Sequence, residues 1–277
     1  MGMRIATNVS SITAQRSLAG SSREMAKSMA QLSSGSRITK SADDAAGLAV
    51  SENLKSQIRG YTQAGRNAMD GVSLVQTAEG GLNEISNILT RLRELGVQAS
   101  SDTVGETERG FLNKEVVQLK NEAERIAKST KYGNVALLDG TGGKFDFQVG
   151  INNDDFNDRI SYESSEQDAT TASIGVDGLD YTSKEAAQES LAVLDAAQLT
   201  VNGFRANLGA LQNRLVSTQD NIAVAHENLS AANSRIRDTD VAQASAEVTR
   251  NQIMQQATVS VLASANASQQ SALKLIG

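Results

Sequence analysis

Residues 194–236 read LDAAQLT VNGFRAN LGALQNR LVSTQDN IAVAHEN LSAANSR I when broken into sevens. The first column is Leu194, Val201, Leu208, Leu215, Ile222, Leu229 and Ile236, a branched apolar side chain at every seventh position without a miss. The companion column, Ala197, Phe204, Leu211, Thr218, Ala225 and Ala232, is mostly apolar. Apolar residues at both positions of a seven-residue repeat form one stripe along an α-helix, the seam of a coiled coil. At about 1.5 Å per residue the repeat predicts a rod of roughly 63 Å. Thr182 with Glu185 is expected to form a capping box ahead of it. Such a seam needs a partner helix.

The partner is expected nearer the start of the chain. Ile58, Tyr61, Gly65, Ala68, Val72 and Val75 alternate by three and four, and the pattern resumes at Leu82, Ile85, Leu89, Leu92, Gly96 and Ala99. The phase change near Glu79–Leu82 predicts a local break in register, and Ser41 and Asp44 are candidate caps at the helix start. A shorter helix uses Leu112, Val116, Leu119, Ala123 and Ile126, after a loop at Ser100–Gly105. Between Lys131 and Tyr181 lie clustered glycines and most of the aromatics. There Phe145, Phe147 and Val149 alternate as in a half-buried strand, Gly150–Asp158 is turn-like, and Arg159–Glu163 is the expected return strand.

The chain ends form a separate pair. Ile5, Ile12, Ala19 and Ala26 fall on one helical face, and Leu18, Met25, Met29 and Leu32 on nearly the opposite one. Ile253, Met254, Ala257, Val261, Leu262 and Ala265 cover about half a helix circumference at the other end. Helices apolar on more than one face demand burial from more than one side, which an assembly provides.

Composition agrees with rods and excludes much chemistry. The 277 residues contain no proline, where average usage would give about 14; interior proline costs a helix about 3 kcal/mol. With no cysteine there is no disulfide, thiol nucleophile or thiolate metal site, and one histidine builds no multi-histidine centre. No run of about 18 apolar residues is present to span a membrane. Met1–Gly20 carries Arg4 and Arg16 and no continuous apolar core, so no cleaved secretory signal is expected. The net charge of −6 is uneven, with eleven acids against Arg159 and Lys184 between Phe145 and Ser190. In contrast, Val241–Gly277 holds only Glu247, Arg250 and Lys274. Nothing has the basic footprint of a nucleic-acid binder.

Candidate motifs for catalysis or ligands fail on inspection. Gly140–Lys144 superficially suggests a phosphate loop, but Leu138 and Phe145 stand where glycine and Ser or Thr are required, so a hairpin turn is expected. Asn152–Asp158 has the composition of a calcium loop without its glycine and glutamate spacing. His226 lies off the seam with no nearby histidine or cysteine. The sequons at Asn8, Asn228 and Asn266 fall in expected helices. The residues point to neither an enzyme nor a cofactor.

Several longer stretches resemble bacterial flagellin. They are Leu32–Ile38, Asp43–Ala49, Ala64–Gly71 and Arg91–Leu95 toward the start, and Leu208–Leu215, Ser234–Asp240, Ile253–Ala257 and Val261–Asn266 toward the end. The resemblance implies an inner domain of paired terminal helices, about 1–42 and 237–277. It implies a second helical domain at 43–236 with a β-hairpin at about 134–180, in a short form without the outer variable domains. It implies a structural, non-enzymatic subunit that is exported through the flagellar type III apparatus and polymerises with itself into the extracellular filament used for swimming. An alternative within the family is the hook–filament junction protein. The implied partners are an export chaperone, the cap protein, hook-associated proteins and a vertebrate Toll-like receptor. Residues matching the receptor motif are Arg91, Leu95 and Glu115. Those assigned to polymerisation are Ile5, Ile12, Leu18, Met25, Leu32, Ile253, Met254, Ala257, Val261 and Leu262.

Overall fold

The structure is a computed structural model that describes residues 7–274, with side-chain environments to residue 271. Among these residues the helices are α1 (Val9–Ser34), α2 (Ala45–Ala99), α3 (Glu106–Ser129), α4 (Lys184–Arg237) and α5 (Val241–Lys274). Four short strands lie between α3 and α4: β1 (Lys131–Tyr132), β2 (Val135–Ala136), β3 (Lys144–Gln148) and β4 (Arg159–Glu163). The fold is mainly α, as the heptads and absent proline require, with a small β region. The chain divides into two compact units, one of the terminal segments up to Ser56 and from Asn228 onward, the other of Gln57–Glu227.

In the central unit α2 and α4 run antiparallel. Arg93 pairs with Asp195 at 2.5 Å, Gln198 donates to the Ser86 hydroxyl at 2.7 Å, and the Gly71 backbone meets Leu215. Leu194, Val201, Leu208, Leu215 and Ile222 are all buried. Leu229 and Ile236, which continue the column into the terminal unit, are half-buried.

The facing seam on α2 corrects the expected register break at Glu79–Leu82. Buried positions Ala64, Ala68, Gly71, Val75, Ala78, Leu82, Ile85, Leu89, Leu92, Gly96 and Ala99 alternate by four and three without interruption, in one continuous helix. Gly65 and Val72, read as seam positions, are half-buried beside it. Alanine and glycine carry too little apolar area to mark a stripe, but they admit the large side chains opposite. At Gly71 a Cβ would lie 3.2 Å from both Leu215 and the Phe147 ring, so the missing side chain is what lets helix and hairpin close together.

Caps set the helix limits. The Asp44 carboxylate accepts from the Gly47 amide at 2.8 Å at the start of α2. The capping box expected at Thr182 and Glu185 is not formed. The Thr182 hydroxyl donates to Asp180 instead, and Ser183 caps α4 by accepting from the Ala186 amide at 3.2 Å. At Asn8 the amide side chain caps α1, accepting from Ser11 at 3.0 Å, so this sequon stands before a helix rather than inside one.

β3 pairs with β4 antiparallel from Lys144 opposite Glu163 to Gln148 opposite Arg159, as the alternation predicts. A second, smaller hairpin, β1–β2, has no strand-length signal in the sequence. Gly140–Gly143 therefore connects two hairpins rather than closing one. Tyr162 and Tyr181 pin this region, donating to the carbonyls of Leu137 at 2.9 Å and Leu92 at 2.8 Å. Burial raises both phenols above their ordinary range. The sequence reading overlooked Arg109, which is buried and donates to the Ala99 and Ser101 carbonyls at 2.8 and 2.9 Å, closing the C-terminal end of α2. It stands seven residues before Val116 and fourteen before Ala123, the spacing that places it on the buried stripe of α3.

Candidate functional site

The terminal unit is built on α1 packed antiparallel against α5, with Ser28 opposite Glu247 and Asn8 reaching the Ala265 carbonyl at 3.1 Å. The contacting positions follow a seven-residue repeat. On α1 they are Ser11, Ala14, Leu18, Ser21, Met25, Ser28 and Leu32; on α5 they are Ala244, Val248, Asn251, Gln255, Thr258, Leu262 and Ala265. Of these only Ser11, Ala14, Ser28, Ala244 and Thr258 are fully buried, and none has a large apolar side chain. The fully buried positions are thus small or polar, with Leu18, Met25, Leu32, Val248 and Leu262 half-buried between them.

The stronger apolar residues point elsewhere. Ile12, Ile253, Met254 and Val261 are 48, 60, 49 and 57% exposed, and Val9, Met29 and Val259 are exposed with them. Val9, Thr13 and Ala14 of α1 and Met254, Ala257 and Val261 of α5 line an open groove of about 570 Å³. The residues assigned to polymerisation thus divide. Leu18, Met25, Leu32 and Leu262 lie half-buried on the seam. Ile12, Ile253, Met254, Ala257 and Val261 face outward. Ile5 lies outside the described residues. Contiguous exposed apolar surface of this kind is characteristic of protein, membrane or ligand contact sites.

The motif on α2 and α3 also divides. Arg91 donates to Glu115 through Nε and a terminal nitrogen, both at 3.0 Å, and to Glu94 at 2.9 Å. The Glu94 bond first and the Glu115 bond second hold its guanidinium firmly in the charged form. Arg91 and Glu115 are exposed and present one ion pair across two helices. Leu95 is 2% exposed and sits in the core. Of the three, Arg91 and Glu115 are thus accessible in the subunit, and Leu95, one turn along α2 from Arg91, is buried beside them.

Among the described residues no His, Asp or Glu group clusters to hold a metal, and no helix is long and apolar enough to cross a membrane. His226 is half-buried on α4. In the strongly acidic segment most carboxylates are exposed; Asp158 is buried and accepts from the Asp154 amide at 3.1 Å, completing a turn.

Comparison with known proteins matches both ends. The profile of the bacterial flagellin N-terminal helical region covers residues 5–142, and that of the C-terminal helical region covers residues 191–276. A flagellin of Halalkalibacterium halodurans is 42% identical over 274 residues, which span 99% of this chain and 100% of that protein. A flagellar filament core protein of Brachyspira hyodysenteriae is 39% identical, again over 99% of this chain and 100% of the relative. The crystal structure of Bacillus cereus flagellin aligns with a TM-score of 0.51 at 31% identity, covering 61% of this chain and 94% of that one.

Proposed function

The chain belongs to the bacterial flagellin family, and from that premise we propose how its surfaces divide the work of assembly. It is a short-form flagellin, a structural subunit of the extracellular flagellar filament that serves swimming motility. Its relatives are flagellins and filament core proteins, which favours the filament subunit over the junction protein. The family is structural.

The terminal helices form the inner domain, about 1–42 and 237–277, and make the subunit contacts nearest the filament axis. The domain at about 43–236 is the second helical domain and carries the β-hairpin. One observation carries this reading: pairing through one seam, α1 and α5 leave Ile12, Ile253, Met254, Ala257 and Val261 outward. Neighbouring subunits cover that face. Leu18, Met25, Leu32 and Leu262 act indirectly by holding the pair. Deleting Val241–Gly277 is expected to abolish polymerisation while leaving the melting transition of the α2–α4 core, read by circular dichroism. Filaments formed by the truncated chain, seen by electron microscopy, would refute the assignment.

The dissociated subunit is recognised by a vertebrate Toll-like receptor through Arg91, Leu95 and Glu115, of which Arg91 and Glu115 form an exposed ion pair. An Arg91→Ala, Glu115→Ala variant is expected to lose at least tenfold in reporter-cell potency with its fold intact, about the cost of a charge-assisted hydrogen bond. Wild-type potency would remove this surface from the account. Leu95→Ala is a poor probe, because truncating a buried leucine costs about 2–5 kcal/mol of stability. An export chaperone, the cap protein and hook-associated proteins complete the proposed partners.

A further inference from the structure

The central unit carries two bare aromatic rings, one toward each end. Three of the five phenylalanines, Phe145, Phe147 and Phe204, pack against the core. Phe156 is 86% exposed and Phe111 is 63% exposed. Contacts along α2 fix where the two rings lie. From its C-terminal end downward, α2 meets Arg109 at Ala99, Glu115 at Arg91, Phe147 at Gly71 and Ile151 at Gly60. α3 and the β3–β4 hairpin therefore follow one another along the same helix. Phe111 stands at a level between Ala99 and Arg91, and the turn that bears Phe156 begins beside Gly60. About 35 residues of α2 separate these levels, roughly 50 Å, so the two rings do not meet within one chain.

The turn that presents Phe156 is tightly built. The Asp154 carboxylate accepts from the Phe156 and Asn157 amides at 2.9 and 3.0 Å. The Asp158 amide donates to the Asp154 carbonyl at 3.0 Å, and the Asp158 carbonyl accepts from the Val149 and Gly150 amides at 2.8 and 3.0 Å. At Gly150 a Cβ would lie 1.7 Å from the Asp158 carboxylate, so the turn closes only around glycine. A segment bonded in this way loses little freedom when it is covered. Beside the ring stand Asp154 and Asp155, and the Asp155 side chain is 87% exposed. Around Phe111 the available charge has the opposite sign. Lys114 is exposed, lies 5.5 Å from the centre of the Phe111 ring, and has no ion-pair partner among the described residues. Of the nearby acids, Glu115 is engaged by Arg91 and Glu108 folds back toward Gly105.

We propose that Phe156 of one copy seats against Phe111 and Lys114 of another, a head-to-tail contact between central units in the filament. A helical homopolymer joins two different patches of the same chain, and these two patches match in kind and in charge. The rings stack or meet edge to face, and Asp154 and Asp155 approach the uncompensated Lys114. The contact lies wholly within residues 57–227 and stands apart from the terminal helices.

Photo-crosslinking tests it in the full-length chain. Phe156 is replaced by p-benzoylphenylalanine, which keeps an aromatic ring at the tip, and the variant is diluted into wild-type chains. Filaments are assembled and irradiated, and the cross-linked peptides are mapped by mass spectrometry. The expected product joins position 156 to residues 107–118 of a second copy, and the irradiated monomer lacks it. Cross-links to any other segment, or filaments without cross-links, overturn the proposal. Elongation of wild-type seeds, followed by light scattering, gives a second readout. Phe111→Ala and Phe156→Ala change side chains that the fold leaves exposed, so the melting of the central helices should match wild type. Each variant is expected to elongate about threefold or more slowly. The double variant should be no slower than the slower single one, because one missing ring leaves the other unopposed. Additive slowing, or wild-type rates in both single variants, also overturns the contact. Every variant keeps the wild-type termini, so these outcomes leave the assignment of the terminal helices standing.

Discussion

At the scale of single residues, the fold relies on a few side chains that satisfy backbone groups where elements meet. Tyr181 is fully buried and donates to the Leu92 carbonyl at 2.8 Å. Burial raises its phenol to about 12, against about 10 in an unfolded chain. The neutral form is favoured in the fold, so this stabilisation is complete below pH 10 and is lost as the pH rises from 10 toward 12. Tyr181→Phe removes the hydrogen bond and is expected to cost about 1 kcal/mol at neutral pH. The gap in melting temperature between variant and wild type should narrow above pH 10, because the variant has no phenol to ionise when unfolded. A gap that stays constant to pH 12 would refute the assignment. Arg109 shows how a residue of this kind can be anticipated. Its seven-residue spacing from Val116 marks it as inward-facing, and an inward arginine must find carbonyls or carboxylates. Leu95 and Arg91 make the converse point: one turn of helix separates a core residue from a surface one, and a motif alone does not distinguish them.

At the scale of elements, the α2–α4 pair is an antiparallel coiled coil whose two strips are unequal. α4 contributes Leu194, Val201, Leu208, Leu215 and Ile222, while α2 contributes alanines and glycines as well as leucines. Large opposite small is how the strips fill the space between them. Leu208 is 1% exposed, whereas Leu229 on the same column is half-buried. Leu208→Ala is expected to cost about 2–5 kcal/mol in the monomer. Leu229→Ala should cost clearly less, a difference that urea unfolding of the two variants would measure. The column of α4 was legible because leucine, valine and isoleucine are unmistakable at a period of seven. The strip of α2 was only half legible. Alanine and glycine occur as readily on exposed faces, so the Ala78 position was invisible and a false break was inferred beside it. Caps were legible to within a residue, since Thr182 and Ser183 are chemically equivalent candidates until Asp180 engages one of them.

At the scale of the whole molecule, the proposed assembly rests on the terminal helices. An Ile253→Ser, Val261→Ser variant alters side chains that the folded subunit leaves exposed. Its monomer should melt within about 0.5 kcal/mol of wild type, yet it should fail to extend filament seeds in a light-scattering assay. Equal elongation would mean that the outward face of α5 is not a subunit contact. The sequence by itself determined the mainly helical class, the long α4 seam, the β3–β4 hairpin, the excess of apolar face at both ends and the family, because each rests on local periodicity or on long ordered motifs. Only the tertiary structure decided which apolar face of α1 and α5 is used internally and which is left over. It alone placed Leu95 in the core and Arg91 with Glu115 on the surface, and it alone set Phe111 and Phe156 toward opposite ends of the central unit. The reason is that periodicity reports that a face is apolar, not what lies against it. The choice of partner depends on side chains hundreds of residues away, and those distances close only when the chain folds.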